Sequence, residues 1–199
     1  MITEKSAIRQ QLLSERLNLS ETKRAAWDQQ IFQRLISCDF FKQTNRFACY
    51  FSHLNEPQLV NLILDYLQTT DKLHQKSLYL PILKKSAKGS YLSFGPCHFQ
   101  TQYKNNLYNI PEPAVPTDLE LNASELDLIL MPLVGFNSLK KRIGMGGGFY
   151  DRTLSFKLDK PHHKPYLVGI AYECQKSENI PIESHDIGLD NVITESWLY

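Results

Sequence analysis

The residues with the clearest chemical potential form a glycine-rich loop, residues 142–154, with the sequence RIGMGGGFYDRTL. Four of the five residues from 144 to 148 are glycine. Glycine loses more backbone entropy on folding than any other residue and has no side chain to pack, so the cluster indicates that something approaches this backbone closely. Exposed backbone N–H groups in such a loop bind anions such as phosphate, although a simple tight turn also uses glycine.

Charged side chains near the loop favour the phosphate interpretation. Lys140, Lys141, Arg142 and Arg152 surround it with positive charge, and we interpret the two lysines as solvated surface charges. Arg142 can hold phosphate oxygens, while Asp151 can meet Mg²⁺ on a polyphosphate or can simply be a negative charge at a helix start. The loop matches neither a Walker A motif nor the usual dinucleotide fingerprint. The sequence therefore predicts a phosphate site of a different type.

The elements that must position this loop alternate between helices and strands. Hydrophobic spacing predicts helices at 3–19, 20–36 and 59–67, strands at 46–51, 77–83, 90–94, 126–132 and 165–172, and a helix that begins near Phe149. Residues 100–122, rich in Pro and Asn, are predicted to be a long irregular connection. The alternation predicts a single domain over 1–199, an α/β/α three-layer sandwich with a mainly parallel, Rossmann-like central sheet. Such sheets bind ligands beyond the carboxyl ends of their strands.

Composition limits the partners and the compartment. The 22 basic and 21 acidic residues give a net charge of +1, which provides no broad field for nucleic acid or an anionic membrane. The amino terminus lacks the apolar run of a signal peptide, and no segment is long and apolar enough for a membrane span, so we expect a cytoplasmic protein. We also expect a monomer. The four scattered cysteines favour buried free thiols over a zinc site or disulfides.

The glycine loop and the strand before it resemble a known family. The segments DLILMPLVGFN (127–137) and RIGMGGGFYDR (142–152) are similar to the carboxyl-terminal signature of the 5-formyltetrahydrofolate cyclo-ligase family, whose members are also called methenyltetrahydrofolate synthetases. An amino-terminal helix with Lys5 and Arg9, the strand leading to Glu56, the LPIL strand, NIPEP (109–113) and SHDIGLDNVITE (184–195) follow in family order. The resemblance implies closure of 5-formyltetrahydrofolate to 5,10-methenyltetrahydrofolate, with ATP as co-substrate and Mg²⁺ as cofactor.

The resemblance also implies roles for individual residues. It makes Arg142 and Tyr150 catalytic, Phe51 and Glu56 substrate-binding and Asp151 a metal ligand. It assigns ATP binding to Lys5, Arg9, Arg142, Ile143, Gly144, Met145, Gly146, Gly147, Gly148, Phe149 and Tyr150. Some relatives carry basic residues inside the loop where this chain has Met145 and Gly147, which leaves Arg142 and the flanking cations more of the charge.

The residues alone leave other interpretations open. Lys5 and Arg9 are also typical of exposed helix cations, and Phe149 and Tyr150 of core aromatics. Glu56 is alternatively an exposed turn carboxylate or a first-turn acid of the next helix. His185 and Asp186 look like a catalytic pair, but adjacent residues seldom face one another, and we interpret them as structural. A sugar-phosphate isomerase or CoA-transferase, and a non-catalytic binding regulator, remain alternative functions.

Overall fold

The computed structural model describes residues 3–70, 76–87, 89–159, 163–181, 183 and 186–199. Its helices are α1 (Glu4–Leu17), α2 (Glu21–Ser37), α3 (Asp39–Lys42), α4 (Val60–Thr70), α5 (Phe149–Thr153) and α6 (Phe156–Asp159). Its strands are β1 (Arg46–Ala48), β2 (Ser77–Ser86), β3 (Gly89–Cys97), β4 (Tyr103–Asn105), β5 (Pro111–Pro113), β6 (Leu128–Pro132), β7 (Gly135–Phe136), β8 (Arg142–Ile143), β9 (Tyr166–Ile170) and β10 (Asn191–Ile193).

A six-stranded sheet with the order β10-β9-β6-β1-β2-β3 forms the centre of the molecule. All neighbouring strands in it are parallel except β2 and β3, which form an antiparallel hairpin. Counted along the chain, the five parallel strands have the order 2-1-3-4-5, which is a doubly wound arrangement. The predicted α/β fold with a mainly parallel central sheet is confirmed.

Apolar residues on both faces of the strands explain why the sheet is covered on both sides. In β6, Leu128 and Leu130 belong to one core cluster, whereas Ile129 and Met131 belong to another on the opposite face. The first face packs against α2, α3 and α4. The second is covered by α5, α6 and irregular segments, which makes this layer thinner than the predicted sandwich suggests.

The first helix lies apart from these two layers and reaches the site from the side. Thr3 caps α1 by accepting a hydrogen bond from the Ser6 N–H. Leu12 packs with Val134 and Ile143 in a third, smaller cluster. This contact places α1 beside β8, close to the glycine loop. No helix in the described part of the chain is long and apolar enough to cross a membrane.

Two regions differ from the sequence prediction. The strand predicted at 46–51 ends at Ala48, although the Cys49 N–H still donates to the carbonyl of Tyr79 in β2. The connection predicted to be irregular contains the β4–β5 hairpin, in which prolines occupy a short strand of a separate two-stranded sheet. Glu112 in β5 accepts hydrogen bonds from the Leu83 N–H (2.8 Å) and from Asn106 Nδ2 (2.9 Å), which fixes the hairpin against β2.

Candidate active site

A cavity of about 580 Å³ opens at the carboxyl ends of β1 and β6. The chain leaves β1 through α4 on one face of the sheet and leaves β6 through α5 and α6 on the other face. The two connections therefore diverge at this point, and a crevice forms where doubly wound sheets bind ligands. Tyr50 and Phe51 after β1, and Pro132 and Leu133 at the end of β6, form part of the wall.

All the predicted site residues line this one cavity. They are Lys5, Arg9, Phe51, Glu56, Arg142, Ile143, Gly144, Met145, Gly146, Gly147, Gly148, Phe149, Tyr150 and Asp151. Residues from α1, from the turn after β1 and from the loop after β8 thus meet although they are far apart in sequence. Their positions are now defined, while their individual roles remain predictions.

The backbone of the loop explains its glycines. Gly146 and Gly148 have φ angles of +94° and +64°, a region that residues with side chains rarely adopt. A Cβ atom on Gly147 would lie 2.9 Å from the Phe149 ring. The helix that follows, α5, has only five residues, so its dipole adds little to anion binding. The loop and its neighbouring cations must supply most of the positive potential.

Two arginines, one from α1 and one from α5, donate hydrogen bonds to carbonyls of the glycine residues. Arg9 donates from Nε to the carbonyl of Gly144 at 2.8 Å, which links α1 to the loop. Arg152 donates from Nε to the carbonyl of Ser90 at 2.6 Å and from Nη2 to that of Gly147. Arg9 lines the cavity and Arg152 lies outside its lining, so only Arg9 combines this fastening contact with access to a ligand.

Arg142 is buried at the inner end of the loop. It lies on β8 with 7% of its surface exposed, and its Nη2 donates to Asp151 Oδ1. Its guanidinium carbon lies 6.0 Å from the centre of the Tyr150 ring. Nε is buried without a hydrogen-bond partner among the described residues, so Asp151 satisfies only part of this guanidinium. The β7–β8 ribbon, which the sequence did not predict, fixes its position.

Asp151 is a carboxylate that belongs to the glycine-rich loop and lines the cavity. Its Oδ1 accepts from Arg142 and, at 3.4 Å, from the Ile187 N–H, and the described part of the chain shows no hydrogen bond to Oδ2. The described residues contain no group of three His, Cys, Asp or Glu side chains that could hold a metal ion. A divalent ion at Asp151 would take most of its ligands from phosphate and water, which suits Mg²⁺.

Lys5 differs from the exposed helix cation that the sequence alone allows. Its Nζ lies 3.0 Å from Asp186 Oδ2 and 3.2 Å from Glu183 Oε1, and its side chain is partly buried. An anionic ligand at Lys5 would therefore compete with two carboxylates. Asp186 has a structural partner here, while His185 lies outside the described residues.

Glu56 is buried, so both simple interpretations of it are wrong. It is 6% exposed, and α4 begins only at Val60. Oε2 accepts from the His53 N–H at 3.1 Å, and Oε1 lies 3.8 Å from Nη2 of Arg16. Burial raises the pKa of Glu56 to about 7, although the positive charge of Arg16 opposes the shift. Near neutral pH this carboxyl group exists in both protonation states.

Aromatic rings complete the walls. Phe51 packs against Tyr103 in an edge-to-face arrangement with centroids 5.2 Å apart, and Phe149 contacts Tyr108 at 5.7 Å. Phe149 and Tyr150 pack against the core of the second sheet face and also line the cavity. Burial raises the pKa of the Tyr150 hydroxyl, so this group stays protonated.

The sequence did not single out several wall residues. They are Tyr50, His53, Pro81, Leu83, Leu92, Asn106, Tyr108, Ile110, Pro111, Glu112, Pro132, Leu133 and Glu183. The run from 106 to 112 belongs to the long Pro- and Asn-rich connection, whose length was the available signal. The Tyr50 hydroxyl is buried without a partner among the described residues, which no local pattern indicates.

Known proteins match this chain along nearly its whole length. The family model described as the 5-formyltetrahydrofolate cyclo-ligase family matches residues 1–195. A Haemophilus influenzae protein named 5-formyltetrahydrofolate cyclo-ligase is 34% identical over 187 residues, which is 94% of this chain and 95% of that protein.

Solved structures agree with the sequence match. The 5,10-methenyltetrahydrofolate synthetase of Aquifex aeolicus is 29% identical with a TM-score of 0.79, covering 98% of this chain and 92% of that one. The 5,10-methenyltetrahydrofolate synthetase of Mycoplasma pneumoniae is 25% identical with a TM-score of 0.72, covering 97% of this chain and 99% of that one. Sequence and fold together show that this chain is a member of the 5-formyltetrahydrofolate cyclo-ligase family.

Proposed function

We propose that this protein uses ATP to convert 5-formyltetrahydrofolate into 5,10-methenyltetrahydrofolate, with release of ADP and phosphate. The observation that carries the proposal is the single cavity that joins the glycine loop to the buried Glu56 end. A transfer between two substrates requires both to be held side by side, away from water. Family membership favours this reaction over a sugar-phosphate isomerase, which would need no nucleotide.

The chemistry explains why a nucleotide is needed. A formamide carbon is a poor electrophile, and its oxygen is a poor leaving group. In the first step the formyl oxygen attacks the γ-phosphorus of ATP, the bond to the β-phosphate oxygen breaks, and ADP leaves. The neighbouring amine of the folate then adds to the activated carbon and loses its proton. Departure of phosphate with the carbon–oxygen bond pair leaves the methenyl bridge.

The glycine-loop end is suited to the phosphoryl group. Arg142 offers a buried planar cation, and the loop N–H groups offer donors that need not reorganise during the transfer. Tyr150 contributes a hydroxyl that stays protonated, so it acts as a hydrogen-bond donor rather than as a base. Arg9 keeps the loop in place through Gly144, and Lys5 reaches the nucleotide when it exchanges a carboxylate for a phosphate.

Asp151 is the residue that would hold Mg²⁺. Its Oδ1 accepts a hydrogen bond from Arg142, and Oδ2 accepts none from the described part of the chain. Mg²⁺ held there would supply positive charge that stabilises the transferring phosphoryl group. The Arg142–Asp151 pair would therefore keep two positive charges, those of the Arg142 guanidinium and of Mg²⁺, near the transferring phosphoryl group.

The other end of the cavity is suited to the folate. Phe51 provides an aromatic wall, and the Glu56 carboxylate accepts hydrogen bonds from N–H groups of the folate. Because Glu56 is buried, each such bond forms in a medium of low dielectric constant and contributes more than it would in water. Ionised Glu56 is the form that binds.

We also infer a cytoplasmic monomer that works as one domain and binds neither nucleic acid nor membranes. The net charge of +1 supports the absence of nucleic-acid and membrane binding. The central sheet supports a single domain, because its strands come from the whole range between Arg46 and Ile193. Size-exclusion chromatography with light scattering tests the monomer, which a stable dimer would contradict.

The proposed reaction is tested by the absorbance of the methenyl product with purified protein. We expect product only when ATP and Mg²⁺ are both present, with one ADP formed for each methenyl group. Full-rate product formation in EDTA without nucleotide would show that the oxygen is not phosphorylated. Binding of both ligands without turnover would instead favour a non-catalytic regulator.

A further inference from the structure

Arg16, which the sequence did not single out, is a fully buried cation behind the folate end of the cavity. It lies in the last turn of α1 with 0% of its surface exposed. Nε donates to the carbonyl of Leu54 at 2.9 Å, and Nη1 donates to the carbonyl of Leu133 at 2.9 Å. Leu54 belongs to the turn after β1, and Leu133 follows β6. Arg16 thus connects α1 to both segments that flank the crevice.

A structural link alone does not explain why this residue is charged. Gln175 donates to the same Leu133 carbonyl at 2.7 Å and to that of Val134 at 3.1 Å, so a neutral side chain already performs that task. A buried guanidinium costs free energy unless it is hydrogen-bonded and paired with an opposite charge. The opposite charge here is Glu56, whose Oε1 lies 3.8 Å from Nη2 of Arg16.

Among the described residues, Arg16 supplies the positive charge that acts on Glu56. Burial, and then the charge of Glu56, raises the pKa of the Tyr50 and Tyr150 hydroxyls, so both stay protonated. The nearest contact in its own turn is the backbone N–H of His53. Nη2 of Arg16 has no hydrogen-bond partner among the described residues, so its interaction with Glu56 is an ion pair without a hydrogen bond.

We propose that Arg16 is a positioning residue that keeps the Glu56 carboxylate charged and directed into the cavity, without touching the folate itself. Arg16 is not part of the cavity lining, whereas Glu56 is. The role rests on the proposed binding of the folate by Glu56. If Arg16 has this role, the binding of the folate by Glu56 near neutral pH depends on a side chain of α1.

A pH profile distinguishes this role from a purely structural one. An opposite charge within about 4 to 6 Å lowers the pKa of a carboxyl group by about 1 to 3 units. In the wild-type protein, kcat/KM for the folate should fall as the pH drops through about 7, the pKa of Glu56. Arg16→Gln keeps a hydrogen-bonding side chain but removes the charge. The midpoint of the pH profile of kcat/KM should therefore shift to higher pH by about 1 to 3 units.

The experiment compares Arg16→Gln with Gln175→Met, a matched control that loses hydrogen bonds to the same carbonyl but has no contact with Glu56. We expect Arg16→Gln to lower kcat/KM for the folate at neutral pH about fivefold or more and to recover at higher pH. Gln175→Met should lower the Tm and leave the midpoint of the profile unchanged. Equal midpoints in the two variants would overturn the positioning role.

Arg16→Lys provides the test if Arg16→Gln does not fold. Lysine keeps the charge but loses the planar fork, so the midpoint of the profile should stay near the wild-type value while KM for the folate rises and KM for ATP does not. Unchanged KM for the folate would contradict the inference. Wild-type protein without ATP-dependent turnover would instead contradict the proposed function itself.

Discussion

The two ends of the cavity are built in opposite ways. The glycine-loop end comes mainly from one continuous segment, residues 142–151, and its central residues are exposed. The Glu56 end is buried and depends on the Arg16 side chain of α1, on Glu56 in the turn after β1 and on the backbone carbonyl of Leu133 beyond β6. One end is therefore a local motif, and the other is a product of the fold.

This difference affects how charge works at each end. At the glycine-loop end Lys5, Arg9 and Asp151 are half-buried and Arg142 is buried, yet the number and sign of these charges in the sequence already indicate an anion site. At the buried end desolvation dominates and raises the pKa of Glu56 to about 7, so its charge depends on its neighbours. Substitutions at the two ends should consequently affect different substrates and respond differently to pH.

The largest expected effect belongs to the loop end. Arg142→Lys keeps the charge but loses the planar fork that can hold two phosphate oxygens, so kcat should fall by about 10²- to 10³-fold. Steady-state kinetics at saturating ATP measure this loss. Arg152→Lys is the matched control, because Arg152 also contacts the loop but lies outside the cavity lining, and it should lose less than about tenfold. An unchanged kcat for Arg142→Lys would make Arg142 a structural cation.

Because Glu56 is buried, the free energy of unfolding should depend on pH. The folded pKa of Glu56, about 7, lies above its ordinary value of 4.5, so its contribution to stability is complete below about pH 4.5 and is lost as the pH rises through about 7. The loss amounts to about 3 kcal/mol. Denaturant unfolding of wild type and Glu56→Gln at about pH 5 and pH 8 tests this.

The wild-type free energy of unfolding should decrease relative to that of Glu56→Gln between those two pH values. A difference between the two proteins that does not change with pH would show that Glu56 is ionised throughout. Its environment would then be more polar than its burial implies.

Glu56→Gln should also separate the two substrates. Glutamine keeps the shape but replaces one acceptor by a donor, so the N–H groups of the folate lose a partner at a cost of about 1 to 3 kcal/mol. We expect kcat/KM for the folate to fall by about 5- to 150-fold, while KM for ATP stays near the wild-type value. Equal losses for both substrates would contradict the division of the cavity into two ends.

The smallest expected effect concerns Tyr50. Its hydroxyl is buried without a partner among the described residues, so Tyr50→Phe should raise the free energy of unfolding by about 1 kcal/mol. Tyr172→Phe is the matched control, because the Tyr172 hydroxyl donates to Asp28 at 2.7 Å and its removal should destabilise the protein. Thermal unfolding measures both, and a lower Tm for Tyr50→Phe would show that its hydroxyl has a partner in solution.

The same contrast explains what the sequence could predict. The glycine loop, the buried strands and the first two helices carry local signals, namely backbone freedom, apolar runs and periodic spacing, and each lies near its predicted position. The burial of Glu56, the ion pair with Arg16 and the Lys5–Asp186 contact depend on residues 40 to 181 positions apart, which no local pattern encodes. The short ribbon that carries Arg142 was also missed, since two-residue strands leave almost no pattern.

The central claim is that the formyl oxygen is phosphorylated inside this cavity, and isotope transfer tests it most directly. The folate substrate is prepared with a heavy oxygen isotope in its formyl group, and the phosphate released during turnover with ATP is examined by mass spectrometry. We expect one labelled oxygen in each phosphate, because the carbon–oxygen bond breaks after the oxygen has bonded to phosphorus. Unlabelled phosphate, with the isotope recovered in water, would contradict the mechanism.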